Sequence, residues 1–361
     1  MLSTLREILP TRFSKILITI LLKLRRGDCM YKRWWDFALV FILSVLLPVL
    51  MLSFLPKKHS VHNNPPNATA VTETTILPMD EGQASQSKRM ISVMSDAEKV
   101  EQMDLEDYIV CVVLAEMPAS FENEALKAQA VVARTYALRR GNNNPKHYLA
   151  AVCTNSECCQ GYKTPQEYIK SGGQEKDLEK IKAAVHETAG QVLAYNGELI
   201  EATYFSCSGG FTEDAVAVWG EDIPYLQATV SPGEESSKHY VDTVYFSSEE
   251  FASLLGHDVQ NSPDSWFGDI SYTTGKGVET MQIGGVSYTG TQLRKLLGLR
   301  STAFSITVVG DTIAIITKGY GHRVGMSQYG ANAMAEKGSN YEEILCYYYN
   351  GTYLTVAGSV H

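Results

Sequence analysis

Residues 110–140, VCVVLAEMPASFENEALKAQAVVARTYALRR, hold two helical runs so rich in Val, Leu and Ala that neither can leave a whole face in water. Any fold of this chain must bury both, and must do so on either side of a proline. Leu105, Ile109, Val112 and Glu116 fall at steps of four, three and four, so the spacing predicts a helix over 104–116 with a carboxylate on its apolar stripe. Pro118 disfavours helical geometry at Met117 and ends the helix there. Glu116 then sits in the last turn, against the negative end of the helix dipole. Burial and dipole both favour its neutral form, and a carboxyl that is neutral near physiological pH can give a proton in one step and take one back in the next. The competing reading is a buried structural ion pair with Lys127 or Arg134, which the pattern leaves open.

The second helix is marked by Ser120 as N-cap, by Glu122 and Glu124 in its first turn, and by Arg139 and Arg140 ahead of a stop at Gly141. Lys127, Ala130, Val131 and Arg134 share a face. Two cations stacked over small and branched side chains suit an anionic or hydroxyl-rich ligand, whereas the plainer expectation is a solvated basic stripe.

The strings AEMP and EALKAQAVVARTYA resemble the signature of the stage II sporulation protein D family, which includes amidase-enhancer proteins, and the resemblance extends over residues 100–355. It implies a lytic transglycosylase that cuts the glycan strands of peptidoglycan, with the family's catalytic glutamate matched by Glu116. The fold expected is α+β, a mixed core of helices and antiparallel hairpins with a smaller inserted subdomain, preceded by one transmembrane helix.

The transmembrane expectation rests on residues 37–55, nineteen positions without a charge. They follow a basic tail, 1–36, and no small-residue cleavage site comes after them, so an uncleaved anchor with its N-terminus in the cytoplasm is expected. Residues 56–98 are polar and lack apolar periodicity, as a flexible tether does. The catalytic domain is expected over 99–355, with an accessory insertion at 245–302 and a tail at 356–361. Setting aside the eight basic and three acidic residues before Lys57 leaves 23 Lys and Arg against 37 Asp and Glu, a net charge of −14. With no basic patch interleaved with aromatics, nucleic acid is excluded as a partner.

In KHYLAAVCTNSECCQGY, His147, Cys153 and Cys159 recur at intervals that offer soft ligands to a metal, with zinc favoured by the thiolates. Disulfides or buried free thiols are the other use for such cysteines in an extracytoplasmic domain. The family resemblance implies zinc at these three positions, with Cys158 as an extra thiol or a bystander, a fourth position left for water, and a structural role in holding the loop against the active site.

Residues 191–210 read as a hairpin about Asn196-Gly197, leading into Tyr204, Ser206 and Ser208, which alternate onto one strand face before Gly209-Gly210. The block SGGFTEDAVAVWGEDIPYL resembles the family's groove-lining segment. Residues 245–302 read as a helical pair about Gly284-Gly285. Residues 303–318 form a second hairpin that delivers GYGHRVGMSQYGANAMAEKG, again like the family, with His322, Ser327, Gln328 and Tyr329 around a helix entrance. A serine nucleophile, Ser206 or Ser208 paired with His239, His257 or His322, lacks the G-x-S-x-G elbow.

One well-placed acid fits a lytic transglycosylase better than a hydrolytic glycosidase, which uses two carboxylates. The resemblance further implies strands stripped of stem peptides as substrate, forespore engulfment as setting, and a cell-wall amidase and a membrane protein of the engulfment complex as partners. Two other functions remain in view: a non-catalytic glycan-binding amidase enhancer, and a zinc-dependent cell-wall hydrolase with Glu116 as general base.

Overall fold

A computed structural model describes residues 89–360 apart from 96, 97, 142, 143, 145, 257, 258, 260 and 261. The expected basic tail, the 37–55 span and nearly all of the tether lie outside the described residues. Among the described residues no helix is long and apolar enough to cross a membrane.

The chain enters through an antiparallel pair, β1 (Met90–Met94) and β2 (Val100–Asp104), whose first strand also runs parallel to β3 (Val152–Cys153). Strand β2 turns directly into α1 (Leu105–Glu116), because Asp104 caps it: the carboxylate accepts the N–H groups of Glu106 at 2.9 Å and Asp107 at 3.4 Å. Leu105 and every residue from Tyr108 to Leu114 are buried, so the helix is enclosed nearly all round. It stops where the proline demands, with Met117 in extended geometry.

Helix α2 (Asn123–Arg140) is the axis of the main core. It begins at Glu122, not at Ser120, which is exposed two residues earlier, and it closes at Gly141 with a positive φ of 50°. A short capped helix, α3 (Pro165–Lys170), leads to α4 (Glu175–Glu187) and then to β4 (Gln191–Tyr195), which lies between β14 (Tyr353–Val356) and β5 (Glu198–Leu199). The β4–β5 turn takes positive φ at both Asn196 and Gly197, as a type I′ turn needs. Around α2 pack α1, α4, β4, and the two C-terminal helices α8 (Gln328–Glu336) and α9 (Tyr341–Tyr348).

A second hydrophobic cluster, built on Phe251, Trp266, Ile283, Leu293, Phe304 and Ile315, stands apart from the first. It is assembled from β7 (Val241–Ser247), α6 (Ser248–Leu255), the meander β8 (Phe267–Tyr272), β9 (Val278–Ile283) and β10 (Val286–Thr289), then α7 (Gly290–Leu296) and the hairpin β11 (Phe304–Val309) and β12 (Thr312–Lys318). The two helices expected within 245–302 are present, but a three-stranded sheet separates them. Strand β12 pairs with β7, so the 303–318 hairpin belongs to this second cluster.

Two short parallel strands, β6 (Tyr204–Phe205) and β13 (Met326–Ser327), join the glycine-rich segments flanking the second cluster in sequence. Just before β13, the buried Arg323 donates to the carbonyls of Ser208, Phe211 and Gly275, and so ties the β8–β9 turn to the main core. Helix α5 (Ala215–Trp219) follows the same junction and carries Trp219 to its end. The result is a mixed fold of helices and mainly antiparallel sheets, with the two motif-bearing loops brought to the C-terminal end of α1.

Candidate functional site

That end of α1 opens on a cavity of about 970 Å³. Glu116 lines it together with Tyr136, Arg139 and Arg140 from the end of α2, Lys146, the Cys158–Gln160 turn, Glu201, Tyr204 and Ser206, Trp219, Tyr320, His322 and Gln328. Of the expected site residues, the fold therefore gathers Glu116, Tyr204, Ser206, His322, Gln328 and the edge of the cysteine loop around one space.

Among the described residues, no cation pairs with the Glu116 carboxyl. Its Oε1 accepts the Gly161 N–H at 2.6 Å and the Tyr204 hydroxyl at 3.1 Å, while Oε2 has only a long 3.4 Å contact from the Gln328 amide. A Cβ at position 161 would stand 2.9 Å from Oε1 and 3.2 Å from the Ala115 methyl, so the close backbone approach needs glycine. Burial, and after it the neighbouring Glu116 charge, hold the Tyr204 phenol well above its ordinary range, so Tyr204 remains a donor. It is also 3.1 Å from the side-chain Oε1 of Gln160, whose Nε2 donates to the Tyr108 hydroxyl at 3.2 Å. Tyr204 thus has one proton for two acceptors, Glu116 and Gln160.

Lys127 and Arg134 do not reach this site. Lys127 pairs with Glu124 at 2.8 Å and Glu187 at 2.6 Å. Arg134, fully buried, forks onto Glu106 with its Nη2 at 2.5 Å, and donates to the carbonyls of Val185 and Gln191. Both cations expected to contact a ligand are spent inside the fold, and the alternative pairing of Glu116 with either of them is absent. Ser208 is also withdrawn: fully buried, it donates to Glu234, which further accepts from Cys207 and Ser231. Tyr329 packs edge-on against Phe121 and His239, with its N–H on the Ser206 carbonyl, beside the cavity and not among its lining residues.

His322 lies between Phe205 and Trp219, half-buried. Its Nδ1 accepts the Val324 N–H at 3.1 Å and the ring also bonds the Tyr204 backbone, so it braces the strand that carries Tyr204. Burial, helped by the nearby Arg294 charge, pushes it down to about 4, and it is neutral at physiological pH. Neither Ser206 nor Ser208 is bonded to a histidine among the described residues, and His257 lies outside them.

His147, Cys153, Cys158 and Cys159 form a compact group whose ligand atoms all lie within 4.8 Å of one another. Nε2 of His147 is 3.2 Å from Cys158 Sγ and 3.4 Å from Cys159 Sγ. The six described cysteines are all free, so the disulfide use of these residues is not what the fold shows. One imidazole and three sulfurs in such a cluster fit a borderline-soft cation. The cluster stands one residue from Gln160 and two from Gly161, which both act on the Glu116 network.

Gln160 and Gly161 were not singled out by sequence; their only signal was adjacency to Cys159. Arg139 and Arg140, read only as helix-ending charges, share Glu201 at 3.2 and 2.6 Å in the cavity wall. Among the described residues, Lys146 is the lining cation without a carboxylate; its ammonium contacts the Cys158 carbonyl at 3.3 Å. Trp219 and Tyr320 line the cavity as residues 45% and 44% exposed, and nothing but the VWG and GYG strings hinted at them.

A family model described as "Stage II sporulation protein" matches residues 94–195. The chain is similar to Stage II sporulation protein D of Bacillus subtilis (strain 168), 38% identical over 323 residues that cover 87% of this chain and 93% of that protein. The corresponding protein of Bacillus amyloliquefaciens is 38% identical over 327 residues, 88% and 94% of the two chains. The protein named Amidase enhancer of Bacillus subtilis is 33% identical over 299 residues, which span 66% of this chain and 39% of the other.

Proposed function

Because the chain belongs to the stage II sporulation protein D family, we propose that it is a lytic transglycosylase acting on peptidoglycan glycan strands during sporulation, with Glu116 as its only acid/base. The observation that carries this reading is a carboxyl group fixed in a sugar-sized cavity by neutral donors alone. Of the other carboxylates lining the cavity, Glu201 is neutralised by two arginines, and Glu157, Glu221 and Asp222 are exposed, unlike the half-buried Glu116, so each is a poorer second carboxylate for hydrolysis.

In the proposed reaction Oε1 stays bonded to Gly161 and Tyr204, and the less engaged Oε2 carries the proton. It protonates the glycosidic oxygen as that bond breaks. The carboxylate then takes the proton of the C6 hydroxyl of the same sugar, and O6 closes onto the anomeric carbon. The product is a 1,6-anhydro sugar, and Glu116 is again protonated. Trp219 and Tyr320 offer ring faces on which a pyranose can stack. Removing a stem peptide from the strand leaves a lactyl carboxylate, and Lys146 is placed to meet such a charge; this supports strands stripped of their peptides as the preferred substrate. The relative named Amidase enhancer makes an amidase a fitting partner. An anchor at 37–55 would hold the domain outside the cell membrane, beside a membrane protein of the engulfment complex.

His147 and the three cysteines would hold Zn2+. When bound, the metal supplies cross-linking of the 147–159 loop, and the residues after Cys159 then aim Gln160 and the Gly161 N–H at Tyr204 and Glu116.

The test is mass spectrometry of products from the purified chain acting on peptide-free glycan strands, wild type beside Glu116→Gln. Anhydro-ended sugars from wild type alone are expected. Reducing-end products would replace this reading with a hydrolase, and glycan binding without cleavage would replace it with an amidase enhancer.

A further inference from the structure

Gln129 stands in the middle of α2 between Ala128 and Ala130, and all three are fully buried. An apolar side chain of the same length would fill that place without taking an amide out of water, so packing does not explain the glutamine. Nor does its Nε2, which is enclosed and has no acceptor among the described residues. The other end of the amide is directed at the candidate site. Oε1 of Gln129 accepts from Nε2 of Gln328 at 3.4 Å, and the same Nε2 lies 3.4 Å from Oε2 of Glu116.

One NH2 group carries two hydrogens, and here it meets two acceptors. Gln328 is the first residue of α8, whose N-cap Ser327 accepts the Gly330 N–H at 3.2 Å, and α8 packs along α2. Its backbone is thereby fixed, but its carboxamide can still turn over. Turned over, the Gln328 oxygen would face Oε2 of Glu116 and accept the proton that the proposed reaction delivers to the glycosidic oxygen. It would also face the Gln129 oxygen, and two amide oxygens repel. Gln129 thus keeps the Gln328 hydrogens towards Glu116, in place before the carboxylate forms.

Resting on the reading of Glu116 as acid/base, we propose that Gln129 is a positioning residue for the reaction, which acts through Gln328 to present an N–H donor to Oε2 once that oxygen has given up its proton. Gln129 is not among the residues that line the cavity, and it touches no reacting atom. Its whole effect passes through one neighbouring amide.

The experiment is steady-state kinetics on peptide-free glycan strands, scored by anhydro-ended product, for wild type, Gln129→Met, Gln328→Met and the double variant, each beside its melting temperature. Methionine matches glutamine in length and lacks its polar atoms. For Gln129→Met the expected result is turnover lowered about 10- to 100-fold with KM within about twofold of wild type. Its melting temperature should equal or exceed that of wild type, since an orphaned N–H is removed. In the Gln328→Met background the same substitution should cost nothing further, because the amide through which Gln129 acts is gone. Unchanged or raised turnover in Gln129→Met, or losses that add in the double variant, would overturn the role of Gln129 and leave the transglycosylase reading standing. Wild-type turnover in Gln328→Met would overturn it equally, which decides the matter even if Gln129→Met folds poorly. No anhydro product from folded wild type would overturn both readings.

Discussion

The two ends of α1 each carry a glutamate, and the fold treats them in opposite ways. Glu106, in the first turn, has the helix dipole in its favour and receives the buried Arg134 fork, together with the Gly190 N–H at 3.1 Å. Glu116, in the last turn, has the dipole against it and receives, among the described residues, only an amide N–H, a phenol and a distant carboxamide. The same side chain on one helix is a structural ion pair at one end and an un-neutralised carboxyl at the other. The difference lies in where the cation of α2 was spent. A carboxyl group left without a counter-charge at a cavity wall is costly to keep, and proton transfer is the use proposed for it.

Substituting both glutamates puts this contrast to its hardest test. Glu116→Gln should lower glycan cleavage by about 10³-fold or more, since general acid and base are lost together, with the melting temperature within a degree or two of wild type. Glu106→Gln should do the reverse: it leaves Arg134 buried without its carboxylate and costs about 3–5 kcal/mol of stability in urea titration, while activity per folded molecule persists. Loss of chemistry in well-folded Glu106→Gln would break the comparison.

How far sequence could anticipate this follows from range. The α1 period and its stop at Pro118 are local, and both could be read directly. The partner of Arg134 lies 28 positions away, and which of two carboxylates on α1 it meets depends on how the two helices pack. Tyr204, Ser206 and Ser208 alternate as a strand would, but β6 is only two residues long. After it Cys207 bridges to Tyr320, and Ser208 turns inward onto Glu234. Strands β8 and β10 are mostly exposed, so no apolar stripe announced them. The metal spacing matched His147, Cys153 and Cys159, yet only the turn about Asn155 reveals that Cys158 faces the same point.

Metal removal probes the Glu116 end by a different route. Dialysis against a chelator should lower the turnover number about 10- to 100-fold through misplacement of Gly161 and Gln160, and the remaining product should still be anhydro-ended. Complete loss of chemistry with the fold intact would favour a metal-activated nucleophile instead. Tyr204→Phe should cost less, about tenfold. It removes one of the donors that fix the orientation of the carboxyl group, so turnover should fall while KM changes little. Unchanged turnover would mean that Tyr204 gives its proton to Gln160 and not to Glu116.

The last effect expected is on the pH dependence of stability, and it again separates the two ends of α1. His322 braces the strand bearing Tyr204 and sits at about 4 in the folded chain, below the ordinary value of 6.5. The folded state therefore resists protonation of a ring that the unfolded chain accepts readily. His322 contributes stability above pH 6.5, and that contribution fades as pH falls from 6.5 towards 4. Urea midpoints at successive pH values through this window should fall more steeply for wild type than for His322→Gln, which keeps a hydrogen-bonding side chain and cannot titrate. The Glu106 end depends on a guanidinium that keeps its charge throughout. Hydrogen exchange in this window should accordingly open the amides of β6 and β13 before those around Glu106 and Arg134. Equal loosening at both ends would place the acid-sensitive contact outside the His322 brace.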